Sequence, residues 1–352
     1  MDSDSGDVLE HSGTACALQP SSLQQSNLQL PTHSDQLQEV LKHAEDVATQ
    51  KIFPTDDETI HFTISRESWL ELREDPNFDR CIEYKAFRAS FDSSRSLVTI
   101  TGPASERHHA IVRLLADVAH VTLVDKTPIR WYPVISHRFT GEYEDSLRQP
   151  DFSISWDESL FYERVHTVVE IGVSQSLEEL RALIPLHMKG NPETQRVILI
   201  KLAETPKFQC PESIDIDIAQ EFRRDRATGV IWFGNAKVIG ETRISWELWE
   251  RDAAGVPQST FHETFAFGEM PSRNLPFLTI SEGIYGDTEI RGEVNASITP
   301  QMIQQLWREN WPLASWGDAS VRLFDLIGES RLREAMREAR DKGLADELNV
   351  LC

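Results

Sequence analysis

Cysteine is scarce in this sequence: four in 352 residues, at Cys16, Cys81, Cys210 and Cys352, with no C-x-x-C pair among them. Spacing this wide argues against a zinc site and a disulfide framework, and it suits a reducing compartment. No apolar run reaches the length of a bilayer span, so no membrane partner is expected. Met1 to Val8 is acidic where a secretory signal begins basic and turns apolar, which points to an intracellular setting, cytoplasmic or nuclear. Positive charge is short as well: 35 Lys and Arg against 57 Asp and Glu leave a formal net charge of -22. That balance counts against a nucleic-acid partner, because attraction to phosphate backbones relies on clustered cations, although a local basic groove would still serve one. Also missing are internal repeats, a Gly-rich phosphate loop, a G-x-S-x-G elbow and an H-E-x-x-H helix. The common nucleotide-binding, serine-hydrolase and zinc-protease signatures go with them.

What remains is ample material for a core in one large domain or two. Residues 1–34 are rich in Ser, Gln, Asp and Gly, and are predicted to be disordered for want of apolar surface to bury. Residues 35–55 read as a helix over about 36–49 followed by a linker. A core follows over 56–205. It opens with an alternating strand at 60–64, a Ser65-capped helix, and a hairpin over 81–100 turning at Asp92-Ser93-Ser94-Arg95. A helix over 105–120 carries Ile111, Leu115 and Val118 on its buried stripe, and a β-like run spans 129–139. The acidic run Glu142 to Asp145 reads as a solvated loop. A helix over 177–188 is capped by Ser176 and kinked or shortened by Pro185, and a buried strand covers 195–202.

Residues 206–298 are a strand-rich extension, entered by a helix around 216–224 and containing a hairpin at Asp252 to Gly255. Its Trp232, Trp246 and Trp249 read as sheet core rather than a base-stacking platform, since few cations interleave with them. Residues 299–352 are helical, with Thr299 as cap, Pro300 at the first position and a last helix over about 330–348.

Chemistry concentrates in one stretch. Pro150-Asp151 opens the half-buried strand beginning Phe152-Ser153-Ile154, and Val165 to Val173 follows as a β-branched run interrupted by Glu170. Burying a lone carboxylate costs several kcal/mol, so Glu170 must end a strand, pair with a cation or serve a site. Asp151 and Glu170 lie on successive strands and can converge across one ladder. His108 and His109 open the helix over 105–120. Adjacent helical residues point about 100° apart and cannot share one ion, so one is read as packed and the other as exposed.

These residues resemble a known pattern. Pro150-Asp151, then Val168-Val169-Glu170-Ile171-Gly172 with Ser174-Gln175-Ser176, then Arg196 to Lys201 are similar to the restriction-endonuclease-like superfamily, named for its Pro-Asp … Asp/Glu-x-Lys motif. Its small bacterial endonucleases and their uncharacterised fungal relatives are nearest in character. Upstream, Ile82-Glu83-Tyr84, Gly102-Pro103, His108 and Ile111 look like that family's acid-bearing strand and first core helix. The resemblance covers roughly residues 60–205. It implies an α/β fold with a mixed sheet flanked by helices, and metal-dependent phosphodiester hydrolysis. Asp151 and Glu170 would hold Mg2+ or Mn2+, with Glu83 as a further acid and His108 near the site.

The family's lysine falls at Gly172, and a missing preorganised cation can cost orders of magnitude in rate. Arg181 and Lys189 on the following helix, and Lys201 on the next strand, are the substitutes. Two functions stay open: a nuclease acting on nucleic acid, or a catalytically degenerate relative serving as a protein-interaction or regulatory module with a protein partner.

Overall fold

The helix starts are where the sequence advertises them. Ser65, Ser105, Ser176 and Thr299 each accept a hydrogen bond from the backbone N–H three residues on, satisfying a donor that the first turn leaves open. Glu179 answers Ser176 with the reciprocal bond of a capping box. The computed structural model describes residues 37–43, 59–76, 78, 88–102, 104–124, 129–132, 137, 139–155, 164–208, 222–285 and 288–327. The expectations for 1–34, for 36 and 44–49 of the first helix, for 81–87 (with Glu83) and for 330–348 lie outside them, while 37–43 are helical as expected.

In chain order, β1 (Thr59–Thr63) leads to helix α1 (Arg66–Glu74), the hairpin β2 (Arg88–Asp92) and β3 (Leu97–Thr101), and helix α2 (Glu106–Leu123). Then come β4 (Arg130–Tyr132), β5 (Phe152–Ser155), β6 (Val165–Gly172), the short helices α3 (Leu177–Arg181) and α4 (Ile184–Gly190), and β7 (Arg196–Thr205). The later strands are β8 (Phe222–Arg224), β9 (Ile231–Phe233), β10 (Ala236–Ile239), β11 (Glu241–Arg251) and β12 (Pro257–Ala266). After them run β13 (Leu275–Ile280), β14 (Gly283–Tyr285), β15 (Thr288–Ile290) and β16 (Val294–Ile298). Helix α5 (Pro300–Gln305), a π-turn over Leu306–Asn310 and helix α6 (Trp311–Ile327) close the described chain.

The architecture is mixed α+β. Its central sheet has six strands in the order β12-β11-β7-β6-β5-β4. Only β6 and β7 run parallel, joined by the α3–α4 crossover that a parallel pair requires. Every residue of β6 is buried, as a strand covered on both faces demands. On one face Val169, Ile171, Ile198 and Ile200 pack against Ile111 and Leu115 of α2. On the other, Val168, Val197 and Leu199 meet Leu180, Ile184 and Met188 of α3 and α4. Each such side chain contributes about 1.5–3 kcal/mol through burial.

Two of the strands read as an extension, β11 and β12, belong to this same sheet, β11 pairing with β7 from Glu241↔Thr205 to Glu250↔Arg196, while β8 to β10, β13 with β16, and β14 with β15 form small sheets of their own. One apolar cluster accordingly runs from Ala110 through Trp246 to Ala314. A buried ion-pair chain ties these parts again. Arg107 Nε donates to Asp318 Oδ2 at 2.5 Å and its Nη2 to Glu204 Oε2 at 2.8 Å, while Arg322 grips both Glu204 oxygens. Burial works against the Glu204 charge, but the two guanidiniums outweigh it and hold the carboxyl at about 2.

Two sequence readings are corrected. The helix over 177–188 is two helices, because Pro185 lacks the N–H that an interior position needs and instead sits in the first turn of α4. The described end of the 216–224 helix is strand β8, where ladder bonds to β9 outweigh helical spacing. Of the run over 129–139, Arg130–Tyr132 is strand and His137 bridges to Arg148, while 133–136 and 138 lie outside the described residues. No described helix is long and apolar enough to cross a membrane.

Candidate functional site

Strand register brings the two acids together. Phe152 of β5 pairs with Val169 of β6, so Asp151, one step before Phe152, faces Glu170. Both are almost wholly buried, at 2% and 0% exposure, which makes their partners the central question.

Each acid is held by one arginine and one histidine. Arg88 of β2 donates to Asp151 Oδ1 at 2.5 Å, and His108 Nε2 of α2 lies 2.9 Å from the same oxygen. The Ile171 backbone N–H takes Oδ2 at 2.6 Å. Arg148 makes a two-pronged bond to Glu170, Nε to Oε1 at 2.9 Å and Nη2 to Oε2 at 2.5 Å, and His187 Nε2 of α4 sits 2.7 Å from Oε1. All four carboxylate oxygens therefore face nitrogen donors. Burial pushes the Asp151 carboxyl up, but His108 and Arg88, with the Ile171 N–H, bring it well below the usual carboxylate range. Burial likewise opposes the Glu170 charge, and Arg148 with His187 overcomes it, leaving this carboxyl below its ordinary value.

Behind His187 stands His137, its ring 6.0 Å away and edge-on. Burial, then the neighbouring His187, lowers His137 to about 3 against the opposing pull of Glu170, so this imidazole is neutral at pH 7. A cavity of about 20 Å³ lies among Arg88, Ser90, Arg148, Gln149, Asp151 and Gln175, room for about one water. A far larger open groove, about 770 Å³, runs along β12 from His262 to Arg273 at the opposite edge of the sheet.

The substitutes for the missing lysine are dispersed. A side-chain carbon added at Gly172 would meet Leu180 Cδ1 at 2.9 Å, so a lysine there would collide with packed core. Lys201 stands beside Gly172 in the parallel register, and its ammonium bonds the Val173 carbonyl. Lys189 is exposed on α4. Arg181 is drawn away to Glu247 of β11, with Nη2 to Oε1 at 2.5 Å and Nε to Oε2 at 3.1 Å. His262 and the Trp249 N–H complete that third buried acid's partners. Glu170 and Glu247 both align with Leu199 and so share a row across the sheet, about 10 Å apart at two strand spacings.

Sequence reasoning found Asp151 and Glu170, placed His108 near them, and read one of His108 and His109 as packed and the other as exposed; His108 is the buried one. It missed Arg88, Arg148, His137 and His187. Among the described residues, no group of three or more His, Cys, Asp or Glu is placed to hold a metal ion. No protein-family model matches the chain, and comparison with curated proteins returns no match.

Proposed function

We propose that the chain is a restriction-endonuclease-like protein whose acid pair has become an internal ion-pair lock, and that it acts as a non-cleaving interaction or regulatory module. One observation carries this reading: every oxygen of Asp151 and Glu170 is taken by an arginine, a histidine or a backbone N–H. Mg2+ or Mn2+ needs carboxylate oxygens free to coordinate, and these residues as arranged do not fit it. Closing the lysine position with Leu180 supports the same conclusion. The fold assignment is supported by the helix, three strands, two short helices, strand order from α2 to β7, with Pro150-Asp151 heading one strand and Glu170 near the end of the next.

A metal-dependent nuclease is the second reading, favoured by the register that sets Asp151 opposite Glu170. It requires Arg88 and Arg148 to release the acids, and Lys201 is the cation nearest the vacated lysine position. The test is incubation of the full chain with single- and double-stranded DNA and RNA in Mg2+ and in Mn2+. No cleavage above that of an Asp151→Asn control is expected. Cleavage that Asp151→Asn and Glu170→Gln both abolish would establish the nuclease instead.

A further inference from the structure

The three tryptophans of the later strands part company in the fold. Trp246 is buried in the main core, and Trp249 packs beside α3 and α4 with its N–H on Glu247. Trp232 stands half-exposed on the small sheet β10-β9-β8. Its register partners are Lys237 on one side and Arg223 on the other. Lys237 Nζ lies 4.7 Å from the indole centroid and the Arg223 guanidinium carbon 5.7 Å. The cations that the linear sequence fails to interleave with its tryptophans are supplied by strand pairing.

Among the described residues this face is locally basic on an acidic protein. Arg223 and Arg226 are exposed and Lys237 is half-exposed, and the carboxylate between the two arginines, Asp225, is turned onto the Ala227 N–H and the Thr228 hydroxyl. The opposite face is closed. Ile231, Phe233 and Val238 are buried there, and the Val238 carbonyl accepts from Arg322 of α6. An indole flanked by two cations offers a π-system for a base that displaces one of them and charges for a phosphodiester backbone, and a flat aromatic base uses both. An acidic peptide would use the charges alone.

We infer that the Arg223–Trp232–Lys237 row is a docking site for single-stranded nucleic acid, one base stacking on Trp232 while Arg223, Lys237 and Arg226 meet the flanking phosphates. The site lies outside the acid pair and does not depend on whether that pair holds a metal. With about three phosphates engaged, affinity should fall roughly 20-fold between 50 and 200 mM salt.

The experiment is fluorescence anisotropy of labelled oligo-dT and oligo-U with the full chain in EDTA, which silences any metal-dependent cleavage. Trp232→Ala should weaken binding about tenfold or more and Trp232→Phe should restore most of it. The Arg223→Ala, Lys237→Ala double variant should weaken binding and flatten the salt dependence. Melting temperatures identical to wild type verify that these surface variants are folded. The inference is overturned if the wild type binds no better than the double variant, or if Trp232→Ala leaves affinity unchanged. It is also overturned if polyglutamate displaces the oligonucleotide more effectively than unlabelled oligo-U does, which would assign the face to acidic polypeptides.

Discussion

Changing Glu170 to Gln keeps the side chain's shape and removes its charge. Arg148, whose side chain is 11% exposed, then loses both charged partners of its fork in a site with almost no water. Breaking one side of a buried ion pair costs about 3–5 kcal/mol, because the surviving charge is left uncompensated. For a chain of this size that is roughly 5 °C in melting temperature, read by calorimetry or circular dichroism in EDTA. The effect has a pH signature. Since the Glu170 carboxyl lies below its ordinary value in the folded protein, its stabilisation is complete above the unfolded value of about 4.3 and is lost as pH falls through the lower folded one. The gap between wild type and variant should therefore be full at pH 7 and close in acid. Replacing Arg148 and Glu170 together by Met should recover most of the loss, since an apolar pair of similar volume suffers no desolvation. If Glu170→Gln is as stable as wild type or more so at pH 7, the two acids repel one another as empty metal ligands do, and the ion-pair account fails.

Three further outcomes follow from other parts of the fold. Burial holds His137 and His166 at about 3, the latter aided by Arg196, so both stay neutral in the folded protein while their unfolded counterparts take up protons below about 6.5. Stability from this source is present above pH 6.5 and should fall by about 1.4 kcal/mol per unit for each histidine as pH drops from there towards 3, read as urea midpoints at pH 7 and pH 5. Gly172→Ala should destabilise by about 1–3 kcal/mol through overpacking, and Leu180→Ala in the same chain should offset part of that cost; independent additive losses would contradict the contact. Asp318→Asn strips the strongest partner from buried Arg107 and should cost about 3–5 kcal/mol, whereas a change under 1 kcal/mol would show that the α2–α6 tie is dispensable.

Much of this fold could be read along the chain because its signals are local. Ser65, Ser105, Ser176 and Thr299-Pro300 start helices where caps predict, and the apolar run around Glu170 is the buried strand its β-branched residues specify. The same run flagged Glu170 as a charge in need of a partner. What could not be read is which cation answers it. Arg148 lies 22 residues before it and His187 17 after, on a helix that only the crossover brings over the sheet, and Arg88 reaches Asp151 across 63 residues. Arginines and histidines at such distances carry no spacing signature. The same holds for the pairing of β11 with β7, which joins the later strands to the central sheet: ladder partners are set by three-dimensional packing, and alternation alone does not name them.

The most direct measurement is the melting temperature of the full-length chain titrated with Mn2+ to millimolar concentration, beside Asp151→Asn. The ion-pair lock predicts no shift in the wild type, since Arg88, His108, Arg148 and His187 already occupy the acids. A metal bound at a hundred times its dissociation constant would stabilise by about 2.7 kcal/mol, a rise of several degrees. Such a rise in the wild type, absent from Asp151→Asn, would contradict the account and restore Asp151 and Glu170 as metal ligands.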